Sequence, residues 1–196
     1  MSPEVRAFEY AMGMFSVLIG LAVADVATSF HRLLRARGTV RWDPLALFAA
    51  SYSLCTTICM WFDLWGVRNF AATRQFLFYI ALVVQFFVLF LLAAASLPDE
   101  RDDGLDLRAF YAGNRRQFWA LLALFQLLYV TFGIYFTGSE VDRLPMGIAV
   151  FAYGLMCAPF FISMILLCVS SRVVHYAGLG LLYAIVFFHY RRMQIG

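Results

Sequence analysis

The feature that most constrains this chain is a series of apolar stretches, each about as long as a lipid bilayer is thick. A helix needs roughly 20 apolar residues to cross the hydrocarbon core. Six stretches of about that length are present, at residues 7–30, 44–66, 76–97, 118–137, 145–169 and 173–190.

These stretches are predicted to be helices rather than strands. Lipid offers the backbone no hydrogen-bond partner, so only helices and closed barrels span it, and here the apolar residues run continuously instead of alternating. Hydrophobic residues make up 63% of the chain and charged residues 14%, a balance too apolar for an ordinary soluble domain. The sequence predicts an all-α polytopic membrane protein, with residues 1–196 forming one lipid-embedded bundle of about six transmembrane helices with short loops.

The loops leave no room for a soluble catalytic domain. The longest, residues 98–117, contains five acidic residues and four arginines. We interpret it as a solvated loop that leads into a short amphipathic surface helix through Leu105 and Phe110, and as the candidate surface for a protein partner. The chain has no nucleophile–base pair, zinc-protease motif or nucleotide-binding loop, so we do not expect an enzyme.

All 15 basic residues are arginine, and their distribution predicts the orientation of the chain. More of them flank the side that holds the loop at residues 98–117 than the opposite side, which favours that side as the cytoplasmic one. Both termini would then lie outside, in a multi-pass protein of the inner cell membrane. The net charge of +3 comes from these membrane-flanking arginines and not from a basic patch, so we expect no nucleic-acid partner.

A carboxylate, Asp25, interrupts the first apolar stretch. Sorting this stretch at 100° per residue places Asp25 and Thr28 on one polar edge. A stripe of small residues that includes Gly20 is predicted to pack against other helices, and a stripe that includes Phe15 is predicted to face lipid. A carboxylate within a membrane indicates function by default. We therefore weigh a cation or proton site at the inner mouth against a structural pair with an arginine.

A second polar stripe runs along the second apolar stretch. Tyr52, Thr56 and Asp63 fall within about 60° of one another around the helix axis, and the fourth stretch has a matching stripe with Gln126 at mid-depth. Such stripes either line a polar pathway or form hydrogen bonds between helices. The predicted pathway residues are Asp25, Thr28, Tyr52, Thr56, Asp63, Gln126 and Tyr129.

Two of the other apolar stretches have distinctive features. Pro159 lies inside the fifth stretch, where a proline removes a backbone hydrogen bond, and we consider it a candidate hinge. The third stretch is mostly phenylalanine and leucine and is predicted to face lipid or a neighbouring subunit.

Two histidines are weak candidates for a cofactor site. His31 and His175 are both predicted near the inner surface, where a pair of imidazoles from different helices could ligate haem b. We expect no other cofactor and no other metal site.

Three classes of function stay open at this stage. The first is a channel or carrier for a cation or proton, formed by a homo-oligomer. The second is a non-transporting scaffold or sensor subunit that binds partner proteins, and the third is a haem-binding redox protein of the membrane.

Overall fold

The structure, a computed structural model, describes residues 3–66, 75–98, 105–141 and 145–191, with the side chains of residues 3–7 and 137–141 left out. Over these ranges the regular secondary structure is helical and each helix is long and apolar enough to cross a membrane, which confirms the predicted all-α multi-pass membrane protein. The helices are α1 (Pro3–Arg35), α2 (Pro44–Gly66), α3 (Phe76–Ala94), α4 (Leu107–Val141), α5 (Met146–Cys168) and α6 (Arg172–Tyr190).

The helix α2 lies at the centre of the bundle. It contacts α1, α3, α4 and α6, and the remaining helices form an open arc beside it, in which α1 contacts α3, α3 contacts α4, α4 contacts α5 and α5 contacts α6. Residues on several faces of α2 are buried, among them Leu45, Ala49 and Tyr52. A polar residue on α2 therefore faces other helices on most sides rather than lipid.

The fourth helix begins earlier than the sequence predicts. It starts at Leu107 and continues without a break through the predicted span, so residues 107–117 are helical and do not form a separate surface helix. Asp106 explains this start, because its Oδ1 accepts hydrogen bonds from the backbone nitrogens of Arg108 at 2.8 Å and Ala109 at 3.1 Å. A carboxylate in that position caps the free N–H groups of a helix. Residues 99–104 of the predicted loop lie outside the described part.

The predicted orientation of α1 is reversed in the structure. Phe15 is fully buried and stacks on Phe86 of α3 with ring centroids 5.1 Å apart, whereas Gly13 and Gly20 of the small-residue stripe are exposed. The third helix is likewise packed into the core through Phe78 and Phe86 rather than turned wholly to lipid. Lipid tails are as apolar as a protein core, so apolar character alone does not separate the two faces.

One end of the bundle is tied together by charged contacts, and we call it the Asp43 end. Asp43, just before α2, forms a salt bridge with Arg172 at the start of α6, and Arg115 of α4 donates to the carbonyl oxygen of Val169 between α5 and α6. The carbonyl of Asp43 accepts the first bond of α2 from the backbone nitrogen of Leu47 at 3.3 Å. The ends of α2, α4, α5 and α6 are therefore fixed to one another.

Candidate functional site

A cavity of about 290 Å³ lies among α2, α4, α5 and α6, in the half of the bundle away from the Asp43 end. The helix α2 lines it with Tyr52, Thr56 and Asp63, and α4 lines it with Gln126 and Tyr129. Five of the seven predicted pathway residues are thus brought to one cavity by two helices that pack against each other.

The carboxylate of Asp63 is the most distinctive polar group of this cavity. The hydroxyl of Tyr129 donates a hydrogen bond to its Oδ2 at 3.0 Å. The hydroxyl of Tyr190 donates to the carbonyl oxygen of Cys59 at 3.3 Å and also lies within electrostatic range of Asp63, as does the exposed ring of His189. Neutral hydroxyl groups orient this carboxylate, and within the described ranges no arginine forms an ion pair with it.

The other walls of the cavity are mainly aromatic and aliphatic. Phe125 lines it beside Tyr129, with ring centroids 6.2 Å apart, and α5 adds Tyr153 and Met156. The hydroxyl of Thr56 donates to the carbonyl oxygen of its own helix at Tyr52, at 2.9 Å, so its proton is already used. The cavity therefore combines one carboxylate with a largely apolar, ring-rich interior.

Pro159, the predicted hinge residue, also lines the cavity. It lies inside α5, and its carbonyl oxygen accepts a hydrogen bond from the hydroxyl of Ser163 at 2.8 Å. A proline leaves the carbonyl four residues earlier without its helical donor, and that residue, Leu155, is also in the cavity wall. The hinge itself stays a prediction.

The two pathway candidates on the first helix lie elsewhere. Asp25 is partly buried on α1 and interacts with other groups, and Thr28 is exposed. The helix α1 packs against α2 and α3 and contributes no residue to the cavity wall. The structure therefore does not join the predicted site at Asp25 to the one at Asp63.

The two histidines proposed for haem occupy different environments. His31 is exposed on α1. His175 is buried, and both of its ring nitrogens make hydrogen bonds: Nε2 with the carbonyl oxygen of Val169 at 2.9 Å, and Nδ1 with the hydroxyl of Tyr111 at 2.7 Å and Nε1 of Trp119 at 3.0 Å. The carbonyl can only accept, which assigns the proton to Nε2 and makes Nδ1 the acceptor for the other two groups. Binding of iron by His175 would have to break one of these bonds.

Sequence reasoning singled out Pro159 of α5 but missed the other contributions of α5, and those of α6, to the cavity. Met156 and Pro159 follow Ala152 at the spacing of one helix face, a signal present in the sequence. His189 and Tyr190 gave no such signal, because polar aromatic residues at the end of a span are ordinary at a membrane surface.

Comparison of the chain with models of protein families, with curated proteins and with solved structures finds no match. Arguments about function therefore start from the geometry of the cavity.

Proposed function

We propose that this protein is a membrane carrier that binds a cation in the cavity at Asp63. One observation supports this above all: a carboxylate held by a tyrosine hydroxyl faces a cavity of about 290 Å³, and within the described residues no arginine neutralises it. A charged residue within a membrane costs about 2.5 to 3.5 kcal/mol on insertion scales at mid-depth, and the cost is smaller for Asp63 because it lies close to the end of α2 at Gly66. A bound cation would offset part of that cost.

The packing around the cavity favours a carrier over an open channel. Toward the Asp43 end, the helices that enclose the cavity are packed through Trp119, Leu122 and Leu182, each fully buried. A channel needs a continuous path, whereas a carrier exposes its site to one side at a time. Opening of the Asp43 end would require α2, α4, α5 and α6 to separate there.

Reconstitution into liposomes tests the proposal. We expect cation or proton flux with the wild-type protein and at least a tenfold loss of flux in Asp63→Asn, because the amide has the same shape but no charge. Asp25→Asn is the matched control, since Asp25 lies on α1 outside the cavity wall. Flux that is absent, or equal in wild type and Asp63→Asn, would contradict the proposal.

A second candidate function, a non-transporting scaffold, is favoured by the hydrogen bonds of the polar stripe. The bond from Tyr129 to Asp63 joins α4 to α2, and the bond from Tyr190 to Cys59 joins α6 to α2. If these bonds serve packing, Asp63→Asn lowers the unfolding temperature and no cation crosses the membrane under any gradient.

Assembly and orientation are part of the same proposal. We infer a homo-oligomer with both termini outside the inner membrane and a protein partner at the loop 98–117. Mass photometry in lipid nanodiscs measures the oligomeric state, and protease access to terminal tags in intact cells measures the orientation. An absorbance spectrum of freshly purified protein tests haem, which would show as a Soret band.

A further inference from the structure

We propose that the cation bound at Asp63 is a small organic ammonium ion, a positively charged nitrogen that bears alkyl groups. This inference rests on the proposed function and assigns its substrate class. It follows from the number of oxygen ligands, the size of the cavity and the character of its walls.

The ligands in the cavity do not suit a metal ion. Calcium and magnesium need six or more oxygen ligands at short distances, and zinc needs about four nitrogen, sulfur or oxygen ligands. The cavity offers a single carboxylate, and the described residues contain no group of three histidine, cysteine or acidic side chains arranged to hold a metal. An alkylammonium ion needs only one carboxylate as counter-charge.

The cavity is also large for a dehydrated inorganic ion. Its volume of about 290 Å³ lies near the lower end of the range for small-molecule sites, roughly 300 to 1,000 Å³. A single metal ion would leave most of that space empty. A charged nitrogen with several alkyl groups would fill it.

Aromatic rings from each of the four surrounding helices contribute to the walls. They are Tyr52 of α2, Phe125 and Tyr129 of α4, Tyr153 of α5 and Tyr190 of α6. Ring faces attract cations, and aromatic cages are the usual means of recognising alkylated ammonium groups. Methionine side chains from α2 and α5 add polarisable surface that adapts to alkyl groups.

The carboxylate lies at one end of the cavity, and the deeper part is lined by rings and by the neutral side chains of Thr56 and Gln126. Asp63 lies close to the end of α2 at Gly66, whereas Phe125 and Pro159 lie deeper in the bundle. A ligand would therefore place its charged nitrogen near Asp63 and its alkyl groups against the deeper rings. A neutral molecule of the same shape would lack the electrostatic attraction to Asp63.

Calorimetry on the full-length protein in lipid nanodiscs tests this inference. The probes are choline, tetramethylammonium and 3,3-dimethyl-1-butanol, the neutral isostere of choline. We expect saturable binding of the two cations and at least tenfold weaker binding of the alcohol. Sodium and potassium ions at equal concentration should not compete.

Two variants measure separately how much the charge and the aromatic rings contribute to affinity. Asp63→Asn should lose at least tenfold in choline affinity, and Tyr153→Leu should lose several-fold although it keeps the carboxylate. Asp25→Asn, outside the cavity wall, should bind as the wild type does. To separate loss of binding from loss of folding, each variant is compared with the wild type at a matched elution profile and unfolding temperature. Tyr153→Phe, which keeps the ring, must retain affinity.

The outcomes distinguish this inference from the proposed function. Equal affinity for choline and its neutral isostere, or unchanged affinity in both Asp63→Asn and Tyr153→Leu, overturns the inference. Flux of protons or sodium that depends on Asp63, without binding of either ammonium probe, also overturns it and leaves the carrier proposal standing. If neither flux nor binding is observed, both the carrier proposal and this inference are wrong.

Discussion

Two aspartates at opposite ends of α2 show how differently one residue type is used in this protein. Asp43 is 4% exposed and pairs with Arg172, so its charge is neutralised within the protein. Asp63 is partly buried and receives a hydrogen bond from Tyr129, a neutral group. The other oxygen of Asp43, Oδ2, is buried without a hydrogen-bond partner among the described residues, so the contrast concerns charge alone. The partner, rather than the residue type or its depth, determines whether the charge of the carboxylate is neutralised within the protein or still favours a cation.

The surroundings of the two aspartates differ in the same way. Near Asp43, the side chains of Trp119, Leu122 and His175 are fully buried, and the ends of all four cavity helices are fixed there by hydrogen bonds and an ion pair. Near Asp63 the same helices enclose a cavity. We infer that the Asp43 end holds the helices together and that the Asp63 end accepts a ligand.

The largest expected effect comes from removing the partner of Asp43. Arg172→Leu leaves the buried Asp43 carboxylate without its counter-charge. Breaking a fully buried ion pair costs about 3 to 5 kcal/mol, and because the Arg172 side chain is 34% exposed we expect a loss at or below the lower end of that range. Asp63→Asn removes a charge that is not ion-paired within the described residues, so we expect a change below about 1 kcal/mol. Thermal unfolding in detergent measures both.

The double variant Asp43→Asn/Arg172→Gln is the control for this prediction. It removes both charges, so it should be more stable than Arg172→Leu. If Asp63→Asn proves as unstable as Arg172→Leu, the two aspartates play the same structural role and the scaffold function gains support.

A smaller loss is expected at the buried histidine of the Asp43 end. His175→Leu leaves the hydroxyl of Tyr111 without its acceptor, whereas the indole N–H of Trp119 keeps its second acceptor, the hydroxyl oxygen of Tyr111 at 3.1 Å. A buried donor without a partner costs about 1 to 3 kcal/mol. His175→Gln keeps an acceptor and should retain part of the stability. Equal unfolding temperatures for His175→Leu and the wild type would show that this end is not held by the network.

Glycine substitutions compare a tight contact between α5 and α6 with an exposed position on α5. A methyl group on Gly178 of α6 would lie 2.6 Å from the side chain of Leu166 on α5, whereas one on Gly154 would meet no atom within 4 Å. Overpacking costs about 1 to 3 kcal/mol, and the flexible leucine favours the lower value. Gly178→Ala should therefore lower the unfolding temperature, and Gly154→Ala should leave it unchanged or raise it. The reverse order would contradict the close packing of α6 against α5 at Gly178.

Much of the fold and part of the cavity could be predicted from the sequence. The six spans follow from the length of the apolar stretches, and Asp63 and Gln126 were found because polar residues recur on one face of an otherwise apolar helix. The orientation of α1 could not be predicted, because the apolar ring of Phe15 is stable both against lipid and against Phe86.

Pairing between residues of distant helices could not be predicted from the sequence either. Asp43 and Arg172, which form an ion pair, are 129 residues apart in the sequence. No local pattern connects residues at that separation. The position of Tyr190 in the cavity wall could not be predicted either. It results from the packing of α6 against α2 and not from the residues next to Tyr190 in the sequence.

The smallest expected effect concerns a third aspartate, Asp106, whose partners are backbone groups at the surface. Hydrogen bonds from the backbone nitrogens of Ala109 and Arg108, together with the nearby charge of Arg41, lower the pKa of this carboxylate. A carboxylate whose pKa is lower in the folded state stabilises the protein above its ordinary pKa of about 3.9, and that contribution is lost as the pH falls through the folded value.

Asp106→Asn keeps an oxygen that can cap α4 but removes the charge. The wild type should therefore unfold at a slightly higher temperature than Asp106→Asn at pH 7, and the gap should close as the pH falls below about 3.9. Added salt should narrow the gap at pH 7, because an exposed charge is screened, whereas it should hardly affect the loss caused by Arg172→Leu. A gap that persists at low pH and high salt would mean that shape, and not charge, stabilises the start of α4. Asp106 would then not fit the rule drawn from Asp43 and Asp63, that the partner of the charge decides the role of the carboxylate.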